Sequence, residues 1–538
     1  MAVRRDEAVL MKPRIVDLKR ALLAVASGLL LTAAFPRLEL AWVAWVALLP
    51  LMFAVRGLSA REGFRMGILA GLAHYMTLMY WLVITMNTYG GLPKSLCGPI
   101  LFLFAAYLAI YPALFAAGFA VLSLRPALCL AVAPALWTAQ EYLRAFMLSG
   151  FPWELLGYSQ YRQLKLIQVA DITGVYGVSF VIVLANTVAF LLLSGLPALK
   201  SPETTIPRKL RVVSVGLLVV VLGAVLGYGQ WRMGAVDRSA AAAPARTVSL
   251  LQGNIDQRIK WDPAHQEATL KIYFRLARRA LARKPDLIVW PETAAPFYFG
   301  NDRRLTRMLQ KGVAELGVYQ LVGSPLVLGR TDQYLFYNSA FLLRPDGTLA
   351  GRYDKAHLVP FGEYVPFKKY LPFLGKIVEQ VGDFRAGRRG ATIAWEGHHL
   401  GVLICYELIF ADLSRAAAAN GADLLVNITN DAWYGRSGAP YQHFSMAVLR
   451  AVETRRALVR AANTGISGVI GPAGRILLQT PLFEAAAVSR RVPLLSQKSP
   501  YVCLGDAFAV ACLVVTGLYF LWRYFFDVSR RLQSSHLA

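Results

Sequence analysis

The stretch Asp286-Leu287-Ile288-Val289-Trp290-Pro291-Glu292 reads as a short buried strand that stops at a proline and delivers a carboxylate. Proline has no N–H to give a sheet ladder, so pairing ends there and Glu292 is the first polar group beyond it. Two further runs end the same way. Leu400–Ile404 leads into Cys405-Tyr406-Glu407, and Asp423–Ile428 leads into Thr429-Asn430-Asp431. Short strands are also expected in Thr247–Ile255, Tyr319–Gly323 and Ser339–Leu343, with a Pro345-Asp346-Gly347 turn after the last. Helical spacing marks Ala264–Lys284, Leu305–Leu316 and Asp412–Asn420. Strands alternating with helices argue for an α/β domain with a largely buried sheet. Functional groups in such sheets gather at the carboxyl ends of strands. Glu292 and Cys405 are therefore expected at one rim.

Outside this middle segment the chain is apolar. Of its 538 residues 56% are hydrophobic, and the mean hydropathy is +0.45. Runs of spanning length predict seven membrane spans at Leu18–Phe35, Leu40–Val55, Gly67–Met86, Pro99–Leu122, Pro126–Leu143, Gly174–Leu196 and Val212–Tyr228, and an eighth at Ala507–Phe526. The first run follows a long basic segment and reads as a span, not a cleaved signal. Three parts are expected. They are a membrane domain over 1–230, a catalytic domain over 231–500 with its core at about 247–490, and a C-terminal span with a short tail over 501–538. Ala240–Ala243 reads as a linker between the first two.

The net charge of +25 would suit nucleic acid, but its distribution points elsewhere. Arg4, Arg5, Lys12, Arg14, Lys19 and Arg20 precede the first span, and alternate loops carry Arg56, Arg61, Arg65, Arg125, Lys200, Arg208, Lys209 and Arg211. Arg530 and Arg531 follow the last span, whereas the intervening loops hold only Arg37, Lys94, Arg162 and Lys165. The first set is expected in the cytoplasm with both termini, which places the middle domain on the far side of the membrane, the periplasm of the inner membrane if the cell is a Gram-negative bacterium. No zinc-finger, helix-turn-helix or RNA-binding signature is present, so nucleic acid is not an expected partner.

Four of the five cysteines lie in or beside apolar runs; Cys405 alone lies in the polar middle. It has no local disulfide partner and no metal-ligand spacing. A free thiol titrates near 8.5 and needs a base or cation to become a nucleophile. Glu292 could take its proton. Lys355, in Tyr353-Asp354-Lys355-Ala356-His357, could stabilise negative charge on sulfur and then on the carbonyl oxygen. That set suffices for acyl transfer without His357, His398, His399 or His443, and with no metal or organic cofactor. Taken singly, each residue has a plainer reading: a turn cap for Glu292, a surface lysine for Lys355, core packing for Cys405.

The segment from about 247 to 490 resembles the nitrilase superfamily of carbon–nitrogen hydrolases. The resemblance rests on Gln252-Gly253-Asn254, Trp290-Pro291-Glu292, Asp354-Lys355 and Cys405-Tyr406-Glu407. The layout of spans around it, with Phe151-Pro152-Trp153, Gly157-Tyr158-Ser159-Gln160 and Gly174–Phe180, is similar to the bacterial apolipoprotein N-acyltransferase family. The resemblance implies an α-β-β-α sandwich and a two-step reaction. Cys405 takes an acyl chain from a membrane phospholipid as a thioester, then passes it to the α-amine of a lipoprotein's N-terminal diacylglyceryl-cysteine. Glu292 is the implied base and Lys355 the implied charge stabiliser; Glu363, Glu407, Tyr406, Asn338 and Trp261 are implied supporting residues. One chain holds a whole site, so a monomer is expected. The rival readings are a membrane-anchored amidase that passes the acyl group to water, and a transporter carrying an inactive nitrilase-like module. Many spans argue against the first, and an intact triad against the second.

Other segments leave alternatives open. Phe361–Ile377 suits a surface loop or an arm dipping into the bilayer interface, the arm being favoured by its aromatics and lysines. Glu141, Arg144 and Glu154 suit a lipid entry path or interfacial water equally. His74 and Tyr75 are expected to be satisfied by contacts between helices. Arg275, Arg278, Arg279 and Arg283 are expected on a solvated helix face.

Overall fold

The computed structural model describes residues 17–199, 206–329, 334–366 and 383–535. Most of the 361–377 segment, the basic residues before Asp17, Lys200 and the side chains of Arg530 and Arg531 lie outside the described residues.

The catalytic half is built on two sheets. In chain order the strands are β1 (Ala245–Gln252), β2 (Leu287–Val289), β3 (Tyr319–Leu328), β4 (Leu335–Leu343), β5 (Leu349–Asp354), β6 (Ile393–Trp395), β7 (His398–Ile404), β8 (Leu424–Thr429), β9 (Ala457–Ala462), β10 (Gly468–Ile470), β11 (Ile476–Gln479) and β12 (Ala486–Pro493). One sheet runs β12-β1-β2-β3-β4-β5, the other β11-β10-β9-β8-β7-β6. The centre of each is parallel, β1 to β2 to β3 and β7 to β8 to β9, and antiparallel strands flank it.

Side-chain alternation makes the layers. Successive residues of a strand point to opposite faces. Val248, Leu250, Leu287 and Val289 of one sheet therefore meet Val402, Ile404, Val426 and Ile428 of the other in a shared core. Leu251, Ile288 and Val322 point outward onto helices Pro263–Ala280 and Arg303–Leu316 through Leu270, Phe274, Leu305 and Leu309. Leu403, Leu425 and Leu458 point the other way, onto helices Ala411–Ala419 and Ala439–Thr454. The result is the expected α-β-β-α sandwich. The Arg275, Arg278, Arg279 and Arg283 face is exposed, as expected.

Helix Ala439–Thr454 is buried along almost its whole length because the membrane half covers its other side. Gln442 donates to the Pro36 carbonyl at 3.0 Å, Arg450 to the Tyr158 hydroxyl at 2.7 Å, and the Val175 N–H donates to Glu453 at 3.0 Å. Arg455 and Arg232 both pair with the buried Asp171, at 2.8 and 2.6 Å.

Four described helices are long and apolar enough to cross a membrane: Lys94–Leu122, Val175–Leu193, Arg208–Ala242 and the Ala507–Phe526 part of the last helix. A fifth is gained if Ala60–Leu78 and Trp81–Tyr89, bent by 49°, form one span. The remaining expected spans are weaker. Leu18–Ala33 has 16 residues. Leu40–Val55 is not one helix but a 3-10 segment, Ala41–Trp45, and a 7-residue helix, Leu49–Val55. Pro126–Arg144 is helical but carries Glu141 and Arg144. The expected Ala240–Ala243 linker is corrected too. Helix Arg208–Ala242 takes in its first three residues and ends three residues before β1. Alanine is the best helix former, so the run extends the helix.

His74 meets the Thr32 hydroxyl at 2.9 Å, a contact between helices as expected. Glu141, Arg144 and Glu154 do not sit in interfacial water: all three are buried. Glu141 accepts from the Trp137 indole and the Leu156 N–H, and Arg144 donates to the Trp153 carbonyl.

Candidate active site

Glu292, Lys355 and Cys405 each stand just past the end of a strand of the sandwich. Cys405 follows β7 directly. Its φ of +53° turns the chain out of the strand into the 3-10 segment Cys405–Ile409. A residue with a Cβ in this region costs about 1 kcal/mol or more, and such strain concentrates at functional positions. Glu292 lies just past β2, and Thr293 after it also has positive φ, +47°. Gly323 of β3 lets the two backbones close there, since a Cβ on it would meet the Pro291 oxygen at 2.4 Å. Lys355 follows β5, so it too comes from a strand end, although Tyr353-Asp354-Lys355 did not read as one. β5 is an edge strand with mostly exposed or half-buried side chains and carries no apolar run.

The three meet in one nearly closed space. Cys405, Glu292 and Lys355 are 8%, 7% and 1% exposed. The Lys355 ammonium lies 3.8 Å from Glu292 Oε1 and 2.9 Å from Glu363 Oε1. Asn338 Nδ2 donates to the same two oxygens, at 2.8 and 3.0 Å. The Asn430 N–H donates to Glu292 Oε2 at 2.9 Å. Glu363 is anchored in turn by the Val359 N–H at 2.8 Å. Glu292 is thus an acceptor held on both oxygens.

Glu407 organises the backbone beneath the thiol. Its carboxylate accepts from the Ile404 N–H at 2.6 Å, from the Ala356 and His357 N–H groups at 2.6 and 3.0 Å, and from the Tyr353 hydroxyl at 2.9 Å. It therefore ties the cysteine turn to the lysine turn. Burial raises its carboxyl to about 7, against the pull of those N–H donors. Tyr406 packs edge-on against Phe410 at 5.1 Å and faces Phe151 of the membrane half at 6.4 Å. Trp261 is half-buried on the turn before helix Pro263–Ala280.

Electrostatics sets the resting state. Burial pushes the Cys405 thiol well above its ordinary value, and the Glu292 charge pushes it further; Lys355 and a hydrogen bond with Thr429 oppose this only in part. Burial works against the Lys355 ammonium, but Glu363 and then Glu292 outweigh it and raise the group. The rest state is a neutral thiol beside a carboxylate and an ammonium.

One neighbour was not foreseen. Lys260 is 1% exposed and donates to the Glu292 backbone carbonyl at 3.1 Å. Burial lowers its ammonium to about 8, with Glu292 and Cys405 pulling the other way. It immediately precedes Trp261, which was singled out, but a lysine in a polar segment gives no sequence sign of burial. Lys355 lies at the Glu292 side chain and Lys260 at its backbone carbonyl, so this buried acid has two cationic neighbours; an unpaired ion there would cost several kcal/mol. The Lys260 proton is lost as pH rises through about 8. The acylation rate is accordingly expected to fall above pH 8, and Lys260→Met, which removes the titrating group, to lose that limb in a stopped-time pH profile.

A buried, strand-end Glu, Lys and Cys on an α-β-β-α sandwich define the carbon–nitrogen hydrolase class. A family model described as Carbon-nitrogen hydrolase matches residues 247–494. A second, described as Apolipoprotein N-acyltransferase N-terminal domain, matches residues 27–188. The apolipoprotein N-acyltransferase of Geobacter metallireducens is 47% identical over 91% of this chain and 93% of its own length. That of Methylococcus capsulatus is 36% identical over 96% and 98%. A solved amidase of the nitrilase superfamily from Nesterenkonia is 22% identical, with a TM-score of 0.36, and covers 49% of this chain and 95% of its own. The chain belongs to the apolipoprotein N-acyltransferase family.

Proposed function

We propose that Cys405 carries the acyl group between two lipid substrates, with Glu292 as base and Lys355 as charge stabiliser. Glu292 takes the thiol proton as sulfur attacks the ester carbonyl of a phospholipid. The oxyanion forms beside the Lys355 ammonium. Collapse breaks the ester C–O bond, and the Glu292 proton leaves with the lysophospholipid hydroxyl. In the second half the neutral α-amine of a diacylglyceryl-cysteine attacks the thioester. Glu292 takes a proton from that nitrogen and returns it to sulfur as the amide forms. The observation that carries this reading is the convergence on Glu292. One oxygen faces Lys355 and Asn338 and the other the Asn430 N–H, beside a thiol that is protonated at rest.

The same reading takes in the membrane half. The chain crosses the bilayer about eight times, with parts at 1–230, 231–500 and 501–538 and the catalytic part in the periplasm. The distribution of contacts supports it. Pro36, Tyr80, Trp153, Tyr158 and Val175 touch the catalytic domain. Arg20, Arg56 and Arg125 instead meet Ala54, Leu199 and Trp522. Basic residues therefore gather at span ends away from that domain, as a cytoplasmic face requires.

A covalent carrier predicts ping-pong kinetics. With phospholipid and an N-terminal diacylglyceryl-cysteine peptide varied together, double-reciprocal plots are expected to be parallel, with lysophospholipid released before peptide is added. Intersecting lines would exclude the carrier. Equal acyl release to water without peptide would favour a hydrolase.

A further inference from the structure

We propose that His443 is a positioning residue for the nucleophile, and that Trp153 of the membrane half holds it in place. The proposal rests on Cys405 being the acyl carrier.

The cysteine turn is held from both sides. Before Cys405, the Ile404 N–H is fixed by Glu407 at 2.6 Å. After it, the Cys405 carbonyl lies 3.2 Å from His443 Nε2. A carbonyl can only accept, so Nε2 carries the proton. The other ring nitrogen faces Arg460 Nη2 at 3.0 Å and Asp431 Oδ1 at 3.1 Å. Arg460 can only donate and the Asp431 carboxylate can only accept, so Nδ1 is engaged whether or not it carries a proton, while Nε2–H is held on the Cys405 carbonyl. Burial, and then the Arg460 charge, lower the His443 pKa, against the opposing pull of Asp431. With both nitrogens engaged, the ring is not a proton shuttle. It is a fixed donor to the strained residue.

The support behind it is rigid. Arg460 pairs with Asp431 Oδ2 at 2.6 Å, also binds the Asn427 side chain, and donates to the Ile466 carbonyl at 3.2 Å. Thr429 donates to Asp431 Oδ1 at 2.9 Å. His443, Arg460 and Asn427 are fully buried, and Asp431 is 1% exposed. Trp153, from the loop after helix Pro126–Arg144, stacks on the imidazole with centroids 5.6 Å apart at 29°. Its indole donates to Gln442 at 2.9 Å, and its carbonyl accepts from Arg144 at 3.2 Å. The membrane half thus reaches the backbone of the nucleophile through one ring. A displacement of about 1 Å at a reacting atom can cost on the order of 10²-fold in rate.

The test uses the full chain in detergent micelles with a saturating labelled-acyl phospholipid, and it reads the rate of acyl-enzyme formation, the donor KM and the melting temperature. His443→Leu is expected to slow acylation by at least about 10-fold with KM within 2-fold. His443→Gln, whose amide N–H can reach the same carbonyl, is expected to recover to within about 3-fold of wild type, and Trp153→Leu to slow acylation in the same sense. A folded His443→Leu protein that acylates within 2-fold of wild type overturns the proposal. Should that variant not fold, His443→Gln is compared with the shorter His443→Asn, and equal rates overturn it. Failure of the wild-type protein to form any acyl-enzyme at Cys405 is a different outcome, and it removes the carrier reading itself.

Discussion

Cys405→Ser is expected to lose at least about 10⁴-fold in turnover, as measured by N-acylated peptide formed per minute. Losing an activated nucleophile usually costs 10⁴- to 10⁶-fold. Two effects add here. The burial and the Glu292 charge that raise the thiol would raise an alcohol from a much higher starting point, so Glu292 could not deprotonate it in time. Any acyl group that did transfer would form an oxygen ester, which an amine attacks far more slowly than a thioester. The variant is therefore expected to show at most a slow, single-turnover acylation that the acceptor peptide does not discharge. Turnover within 10-fold of wild type would mean that Cys405 packs and does not react.

Lys355→Met is expected to lower the acylation rate by about 10²- to 10³-fold, the usual cost of removing one oxyanion donor from a dry site. The loss does not end there. Glu292 and Glu363 share the Asn338 amide and face the Lys355 ammonium together. Without that cation they become neighbouring buried carboxylates, and one is expected to hold a proton at neutral pH. Where that one is Glu292, the base is lost as well. Lys355→Arg is not expected to rescue, because the guanidinium is larger and the pocket is 1% exposed. A double variant, Lys355→Met with Glu363→Gln, is expected to recover part of the loss, since it restores the charge balance without restoring the oxyanion donor. No recovery would show that the lysine acts only on the oxyanion.

Much of this was legible before any coordinates, for physical reasons that can be named. Strands buried on both faces are continuous apolar runs, so β1, β2, β7 and β8 announced themselves, and with them the positions of Glu292 and Cys405. Edge strands carry mixed surfaces, so β5 and the Ser489-Arg490-Arg491 portion of β12 passed unnoticed. Helix Ala439–Thr454 was missed for the opposite reason. It is buried between the sheet and the membrane half, yet it contains Gln442, His443, Arg450 and Glu453, which a sequence reading assigns to solvent. Those side chains find partners up to 406 positions away, as in the Gln442 bond to Pro36, and no local pattern reports such pairing. Lys260 and the Asp431-His443-Arg460 group escaped for the same reason. The polar residues after β8 had been noticed; their role under the cysteine turn needed the fold.

The most direct test quenches the protein in acid after brief exposure to phospholipid and weighs the peptide that contains Cys405. The expected result is a mass gain of one acyl chain on that peptide, removed by neutral hydroxylamine and by the diacylglyceryl-cysteine peptide, and absent in Cys405→Ala. An acyl group found on another residue, or peptide N-acylation that continues in Cys405→Ala, would contradict the account.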